Sequence, residues 1–251
     1  MRIVVIGGTG LIGAKTVALL AGRGHDVVAA ASRTGVDTLT GAGLAQALEG
    51  ADVVIDTTRP PASSTSDEVH AFFTRSTENI LAAARHAGVA HHVALTIVGT
   101  AGDVTVPYYL AKRAQEELVR AGGIPYSLVH ATQFFEFARG IAAVSTVGDE
   151  VRLPGVLVQP IAGDDVAEAM AAVAVENPVG DTEIAGPEAF ALDDFVRRGL
   201  VNDDDPRTVV QDPEATYFGG VVEETTLLPG RGATLFPTRY GAWLLHQRAA
   251  G

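Results

Sequence analysis

The stretch that most constrains this chain is RIVVIGGTGLIG, residues 2–13. A β-branched run ends in glycine, and Gly7, Gly10 and Gly13 then recur at every third position ahead of a helix-like segment, AKTVALLAG at 14–22. Glycines at such a turn allow a tight bend, a close approach of backbone to a pyrophosphate, and close contact of helix on strand. The free N–H groups at the helix start then meet phosphate oxygens. The alternative is a glycine turn with no ligand. The strand–turn–helix context argues for a dinucleotide.

The same alternation continues for about 135 residues. Apolar runs at 25–32, 51–58, 91–99 and 125–132 alternate with helix-like segments at 41–50, 69–88 and 109–121. A Pro/Ser-rich loop lies at 59–67. Near-continuous apolar strands separated by helices predict βαβ units, right-handed crossovers and a parallel sheet covered on both faces. The expected fold class is therefore α/β, a doubly wound parallel sheet.

After residue 135 the pattern loosens. A helix is expected over 134–144, one or two short strands within 151–163, and a helix over 164–177 capped by Asp164 or Asp165. A short strand at 180–186, a helix at 192–200 and a turn-rich stretch at 201–239 follow. The expected division is a nucleotide-binding domain over 1–150 and a smaller substrate-binding region over 151–251, with no clean linker.

Charge and composition remove several classes. A formal charge of −12 without a basic stripe argues against nucleic acid as a partner. With no cysteine, thiolate nucleophiles, disulfides and thiolate metal sites are excluded. His91 and His92 are strand neighbours that face opposite ways, so no metal is expected. MRIVVIGG does not read as a secretory signal and no apolar run is long enough to span a membrane, so a cytoplasmic protein is expected. A monomer and a homodimer are equally open.

A carboxylate at the end of the second strand would bind the adenosine ribose and favour NAD. Here the residues are Ser32, Arg33 and Thr34. A guanidinium pairs with a 2′-phosphate, so NADP(H) is preferred over NAD(H). The alternative is that Arg33 is a surface arginine and Asp37 serves instead.

The chain has only two lysines, Lys15 and Lys112. Lys112 follows Tyr108 by four residues, which puts both on one helix face one turn apart. An ammonium there favours the phenolate and lowers the tyrosine pKa, so Tyr108 can hand a proton to a carbonyl oxygen. The alternative is a packing tyrosine and a Lys112–Glu116 pair. Thr96 ends the fourth strand, twelve residues before Tyr108, and its hydroxyl is a candidate for orienting a substrate oxygen. The alternative is an ordinary strand threonine.

With these motifs the chain resembles a short-chain dehydrogenase/reductase of the atypical, NmrA-like branch. The resemblance rests on GGTGLIG at 7–13, SR at 32–33, ADVVIDTT at 51–58, TENILAAARHAGV at 77–89, Tyr108 with Lys112, and GIPYSLVHATQFFEF at 123–137. QPIAGDDVAEAM at 159–170 and GGVVEETTLLPG at 219–230 extend it. It implies a Rossmann-like core, a small C-terminal substrate region, and NAD(P)H-dependent reduction of a carbonyl, enone or quinone-like small molecule. By resemblance, Gly7, Thr9, Gly10, Leu11 and Ile12 contact the pyrophosphate and Ser32 and Arg33 the 2′-phosphate. Thr57, Thr58 and Arg59 line the cofactor, Lys112 holds its ribose, and Gln133 and Phe134 lie near nicotinamide or substrate. Three departures stand out: Thr96 replaces a serine, Phe72 and Phe73 lie near the place of an asparagine, and His130 stands where relatives often carry arginine. The family also includes cofactor-binding regulators, so a non-catalytic redox sensor acting through protein partners is the rival expectation.

Overall fold

Four consecutive residues of the first strand set the architecture. A computed structural model describes residues 1–250. In it β1 (Arg2–Ile6) holds Ile3, Val4, Val5 and Ile6 at no more than 1% exposure. Successive strand side chains point to opposite faces, so a run buried throughout has to be covered on both sides. After β1 come α1 (Leu11–Gly22), β2 (Asp26–Ala30), α2 (Leu44–Ala47), β3 (Val53–Asp56), α3 (Ser66–Ala87), β4 (His91–Ile97), α4 (Pro107–Ala121) and β5 (Tyr126–Ala131). The chain continues through α5 (Ala138–Val144), β6 (Thr146–Val147), β7 (Glu150–Leu153), β8 (Leu157–Val158), α6 (Gly163–Val175) and β9 (Gly180–Ala185). It ends with β10 (Phe190–Ala191), α7 (Leu192–Asn202), β11 (Thr208–Gln211), β12 (Thr234–Leu235) and α8 (Tyr240–Ala250).

The main sheet is parallel and seven-stranded, in the order β12-β9-β5-β4-β3-β1-β2. Val4 of β1 pairs Val28 of β2 on one side and Val54 of β3 on the other. Strand order therefore reverses at β1, which makes its C-terminal end the topological switch point where such sheets bind ligands. The expected doubly wound sheet is the sheet found. Two small sheets, β11-β7-β6 and β10-β8, come from the C-terminal part.

The chain divides into two compact units, each discontinuous in sequence. One comprises residues 1–96, 110–130 and 166–182; the other comprises 97–109, 131–165 and 183–251. In the first unit an apolar cluster joins Val4, Ile6 and Val54 of the sheet to Leu44 and Leu48 and to Ile80, Leu81 and Ala84 of α3. In the second, Phe195, Val196 and Leu200 of α7 meet Phe135, Ile141, Val151, Leu153 and Tyr240.

Some boundaries differ from the sequence expectation. The helix expected at 41–50 is one turn, α2, because Gly41, Gly43 and Gly50 all have positive φ and interrupt it. α3 starts at Ser66 rather than 69, since Thr65 and Glu68 form a capping box. α6 starts at Gly163, whose N–H donates to Glu136, so Asp164 and Asp165 sit in the first turn rather than at the cap. The stretch 201–239 holds two short strands: β11 pairs β7, and β12 adds to the main sheet.

Candidate active site

The glycine loop is built as a cradle. Gly7 has φ +78°, and a Cβ there would lie 2.8 Å from the Thr57 carbonyl oxygen. A Cβ on Gly13 would lie 2.3 Å from the Gly7 oxygen and 2.7 Å from Thr57 Oγ1. Gly8, which the three-residue spacing does not single out, is equally closed, with Val5 O at 2.7 Å; the doubled glycine was its signal. Thr57 spends its hydroxyl on the Ile6 carbonyl at 3.0 Å and so shapes the loop from below. Gly10 caps α1 with no side-chain hydrogen bond, and the first intrahelical bond runs from Ala14 N–H to the Gly10 oxygen. The N–H groups of Leu11, Ile12 and Gly13 precede that bond and form the donor end of the helix. Backbone so bare of side chains, with donors converging at a switch point, fits a dinucleotide pyrophosphate.

Arg33 lies beside this cradle. Ser32, Arg33 and Thr34 form a 3-10 turn after β2, and Arg33 Nη2 donates to the Thr9 carbonyl at 2.8 Å. Asp37 is occupied elsewhere: its carboxylate accepts from the N–H groups of Leu39 and Thr40, and the Leu39 bond holds its pKa below the usual range. Thr58 donates its N–H to Asp56 at 2.8 Å, and Arg59 is exposed.

A polar layer lies under α4 in the same unit. Lys112 is only 4% exposed. Its Nζ donates to the Leu95 carbonyl at 2.8 Å and to Gln115 Oε1 at 2.5 Å, and lies 4.4 Å from the Phe73 ring centroid. Gln115 Nε2 in turn donates to Asp56 Oδ2 at 3.0 Å. Burial pushes the Lys112 pKa down to about 8, against the pull of Asp56 and Glu116. The Phe73 ring thus lies under the ammonium. The Thr96 hydroxyl donates to Glu116. His130 stands between Glu116 (3.6 Å) and Asp181 (3.1 Å), and Arg120 reaches the same Asp181 at 2.9 Å. His92 is fully buried on β4, where burial lowers its pKa and Asp56 raises it.

Tyr108 and Lys112 stand one turn apart on α4, as their spacing predicts. Tyr108 is half-buried and packs against the apolar cluster of the second unit. In that unit Gln133 is buried and its amide donates to the Tyr109 hydroxyl at 2.9 Å. Tyr217 contacts the same amide. Burial raises the pKa of both Tyr109 and Tyr217. Phe134 bridges Ile161 and stacks on Phe137 at 4.9 Å, whereas Phe135 belongs to the core. The structure therefore brings the glycines, Thr9, Arg33 and Thr57 together, and joins Lys112 to Gln115 and Asp56. It ties Thr96 to Glu116 and Gln133 to Tyr109. Asp56, Gln115 and Tyr217 were not singled out in the sequence. The carboxylate ending the apolar run VVID, and a glutamine three residues after Lys112, were the available signals for the first two.

Among the described residues, no group of three His, Asp or Glu side chains is placed to hold a metal, and no helix is long and apolar enough to cross a membrane.

No curated protein matches the sequence. Solved structures share the fold. A protein described as MoeE5, in complex with UDP-glucose and NAD, has 18% identity and a TM-score of 0.70 over 97% of this chain and 92% of its own. The UDP-glucose 4-epimerase of Thermus thermophilus, complexed with NAD, has 18% identity and a TM-score of 0.67, covering 91% and 92%. The dTDP-4-dehydrorhamnose reductase of Bacillus anthracis, complexed with NADP, has 12% identity and a TM-score of 0.66, covering 85% of each chain. At such identities the likeness is one of fold. A family model described as NAD(P)H-binding matches residues 7–177, from the first glycine of the cradle to the end of α6. By that match, over well more than half its length, the chain belongs to the NAD(P)H-binding family.

Proposed function

We propose that the protein is an NADP(H)-dependent oxidoreductase of the atypical, NmrA-like short-chain dehydrogenase/reductase type. It reduces a carbonyl, enone or quinone-like small molecule, with Tyr108 as proton donor. The observation that carries this reading is the glycine cradle with Arg33 bonded to its Thr9 carbonyl.

A dinucleotide held by that cradle would supply a hydride from its nicotinamide. The chain's own residues do the rest. The N–H groups after Gly10 hold the pyrophosphate. The Thr9 carbonyl uses one N–H of Arg33 and leaves the others for a 2′-phosphate, with Ser32 beside it. Thr57, Thr58 and Arg59 line the cofactor. Tyr108 delivers a proton to the substrate oxygen, and the Lys112 ammonium, one turn along α4, favours the phenolate left behind. Thr96 takes a part only by turning its hydroxyl from Glu116. Gln133 and Phe134, with the region from residue 151 onward, supply the substrate side.

A second reading is favoured by one observation: Lys112 and Thr96 are both committed to internal partners. A cofactor-binding redox sensor, with no turnover, has no need of free catalytic groups.

The test is a fluorescence titration with NADPH and NADH on wild type and Arg33→Ala, followed by turnover on a panel of carbonyls, quinones and nucleotide-bound keto sugars. Arg33→Ala is expected to weaken NADPH roughly tenfold or more and to leave NADH unchanged. Tyr108→Phe is expected to abolish turnover at unchanged cofactor affinity. Mutation-insensitive binding of both nucleotides would remove Arg33 from the site. Tight binding without turnover on any substrate would favour the sensor.

A further inference from the structure

A buried ammonium needs partners, because removing it from water without them costs several kcal/mol. Lys112 has three donors. Two go to Leu95 O and Gln115 Oε1, and the ammonium lies over the Phe73 ring. Its nearest counter-charge on the sheet, Asp56, reaches it through an amide. Gln115 presents its carbonyl to the ammonium and its NH2 to the carboxylate, so each end meets the charge it suits. The second Asp56 oxygen accepts from Thr58 N–H, just beyond β3. Lys112, Gln115, Asp56 and Thr58 are thus one chain of hydrogen bonds, running from α4 to the segment that begins at Thr57. Asp56 and Gln115 are each only 1% exposed, so water competes little at any link.

We propose that Asp56 and Gln115 are positioning residues for Lys112: a carboxylate–amide clamp that fixes the ammonium at the Leu95 carbonyl and ties it to the Thr58 backbone. A direct ion pair would need the two charges in contact, whereas here the amide spans them. An apolar residue at 115 would take one hydrogen-bond partner from each charge. The charged and titratable groups facing Lys112 are Asp56 from β3 and Glu116 from α4, with His92 of β4 beside Asp56 and the Phe73 ring covering it from α3. Asp56 acts to keep the lysine protonated, in opposition to burial. The functional meaning of the clamp rests on the reading that Lys112 serves Tyr108; its existence does not.

The rarity of lysine makes a direct test possible. Uniform 13C-lysine labelling gives side-chain signals from Lys15 and Lys112 alone, and Lys15→Arg tells them apart. The titration midpoint of Lys112 is read by NMR in the full chain, with no nucleotide or substrate present. The expected wild-type midpoint is about 8. Asp56→Asn keeps the shape and removes the charge, and is expected to lower that midpoint by roughly one unit or more. Gln115→Met removes both hydrogen bonds and is expected to lower it too. Unchanged midpoints in the folded variants would overturn the clamp. Should neither variant fold, a wild-type midpoint well below about 8 would overturn it as well, because the carboxylate would then not be offsetting burial. Where turnover is available, the alkaline limb of the pH–rate profile should move down with the NMR midpoint, a displacement that a purely structural role would not give. Failure of NADPH to bind would sink the oxidoreductase reading and leave the lysine titration standing.

Discussion

Two neighbouring spaces in the first unit are filled in opposite ways. Between the sheet and α2/α3, Val4, Ile6, Val54, Leu44, Leu48, Ile80 and Leu81 make an apolar layer. Under α4, Asp56, His92, Thr96, Lys112, Gln115 and Glu116 are all buried polar or charged groups. The sheet is continuous and the helices are alike in kind, so secondary structure does not explain the difference. An apolar layer holds the fold at little risk. A polar layer is hard to satisfy and loses more when one partner goes. That a chain with two lysines buries one of them here is where the proposed role of this layer starts.

The comparison breaks most sharply at Lys112. Lys112→Met keeps the stem and removes the ammonium. On the proposed reading, turnover falls by about 10²–10⁴-fold, while cofactor affinity falls less. Steady-state kinetics on any substrate from the panel reads it. Full activity would show that the polar layer is structural only. The converse variant is Ile80→Ala, at a side chain with 0% exposure in the apolar layer. It should destabilise by about 2–4 kcal/mol in urea unfolding, with any turnover of the folded protein unchanged. Parallel losses of stability and activity in both variants would mean that the two layers do not differ in role.

Acid acts on the opposite face of β4 from the polar layer, with a smaller effect. Burial, and then the neighbouring His92, push the His91 pKa down to about 4, from an unfolded value of about 6.5. Its Nε2 bonds Ser127 Oγ at 2.8 Å, and that oxygen also accepts from Val179 N–H. With the folded pKa below the unfolded one, the unfolded chain takes up the proton first. Stability is therefore full above about pH 6.5 and is lost as pH falls toward 4, by about 2–3 kcal/mol from this residue. Urea unfolding at steps between pH 7 and 4.5 measures it, and His91→Gln should flatten the slope. An unaltered slope in that variant would place the acid sensitivity elsewhere.

The same contrast explains what the sequence disclosed. Apolar periodicity reports which faces are buried, so β1, β3, β4 and the parallel sheet were legible from runs such as VVI. The glycine cradle was legible because positive φ and close backbone contact restrict a position almost to glycine. Partners in the polar layer were not. Lys112 and Tyr108 share a helix turn and could be read together, but Gln115 meets Asp56 across 59 positions, and a glutamine on a helix has no distinctive spacing. Thr96 was read for its hydroxyl, whose partner Glu116 lies twenty residues away. Gln133 was read toward a ligand, and its amide meets Tyr109. Short-range geometry can be counted along a chain; which buried donor meets which acceptor depends on how separate elements come together.

α3 belongs to both layers, and this gives the smallest and most discriminating effect. It carries Ile80 and Leu81 into the apolar layer and Phe73 under the Lys112 ammonium. Its start is fixed by Thr65, whose N–H donates to Glu68 Oε2 at 2.7 Å while its hydroxyl accepts from Glu68 N–H. Thr65→Ala removes half of that box at an exposed site and should cost about 1 kcal/mol. Since the cap touches neither layer, the loss has to reach both through the helix. Hydrogen exchange on the α3 amides should rise from the N-terminal turn inward, with the Lys112 midpoint unmoved so long as Phe73 stays seated. A shift of that midpoint in Thr65→Ala would mean that the first turns of α3 set the environment of the ammonium. The polar layer would then depend on the loop at 59–65 and not only on the clamp beneath it.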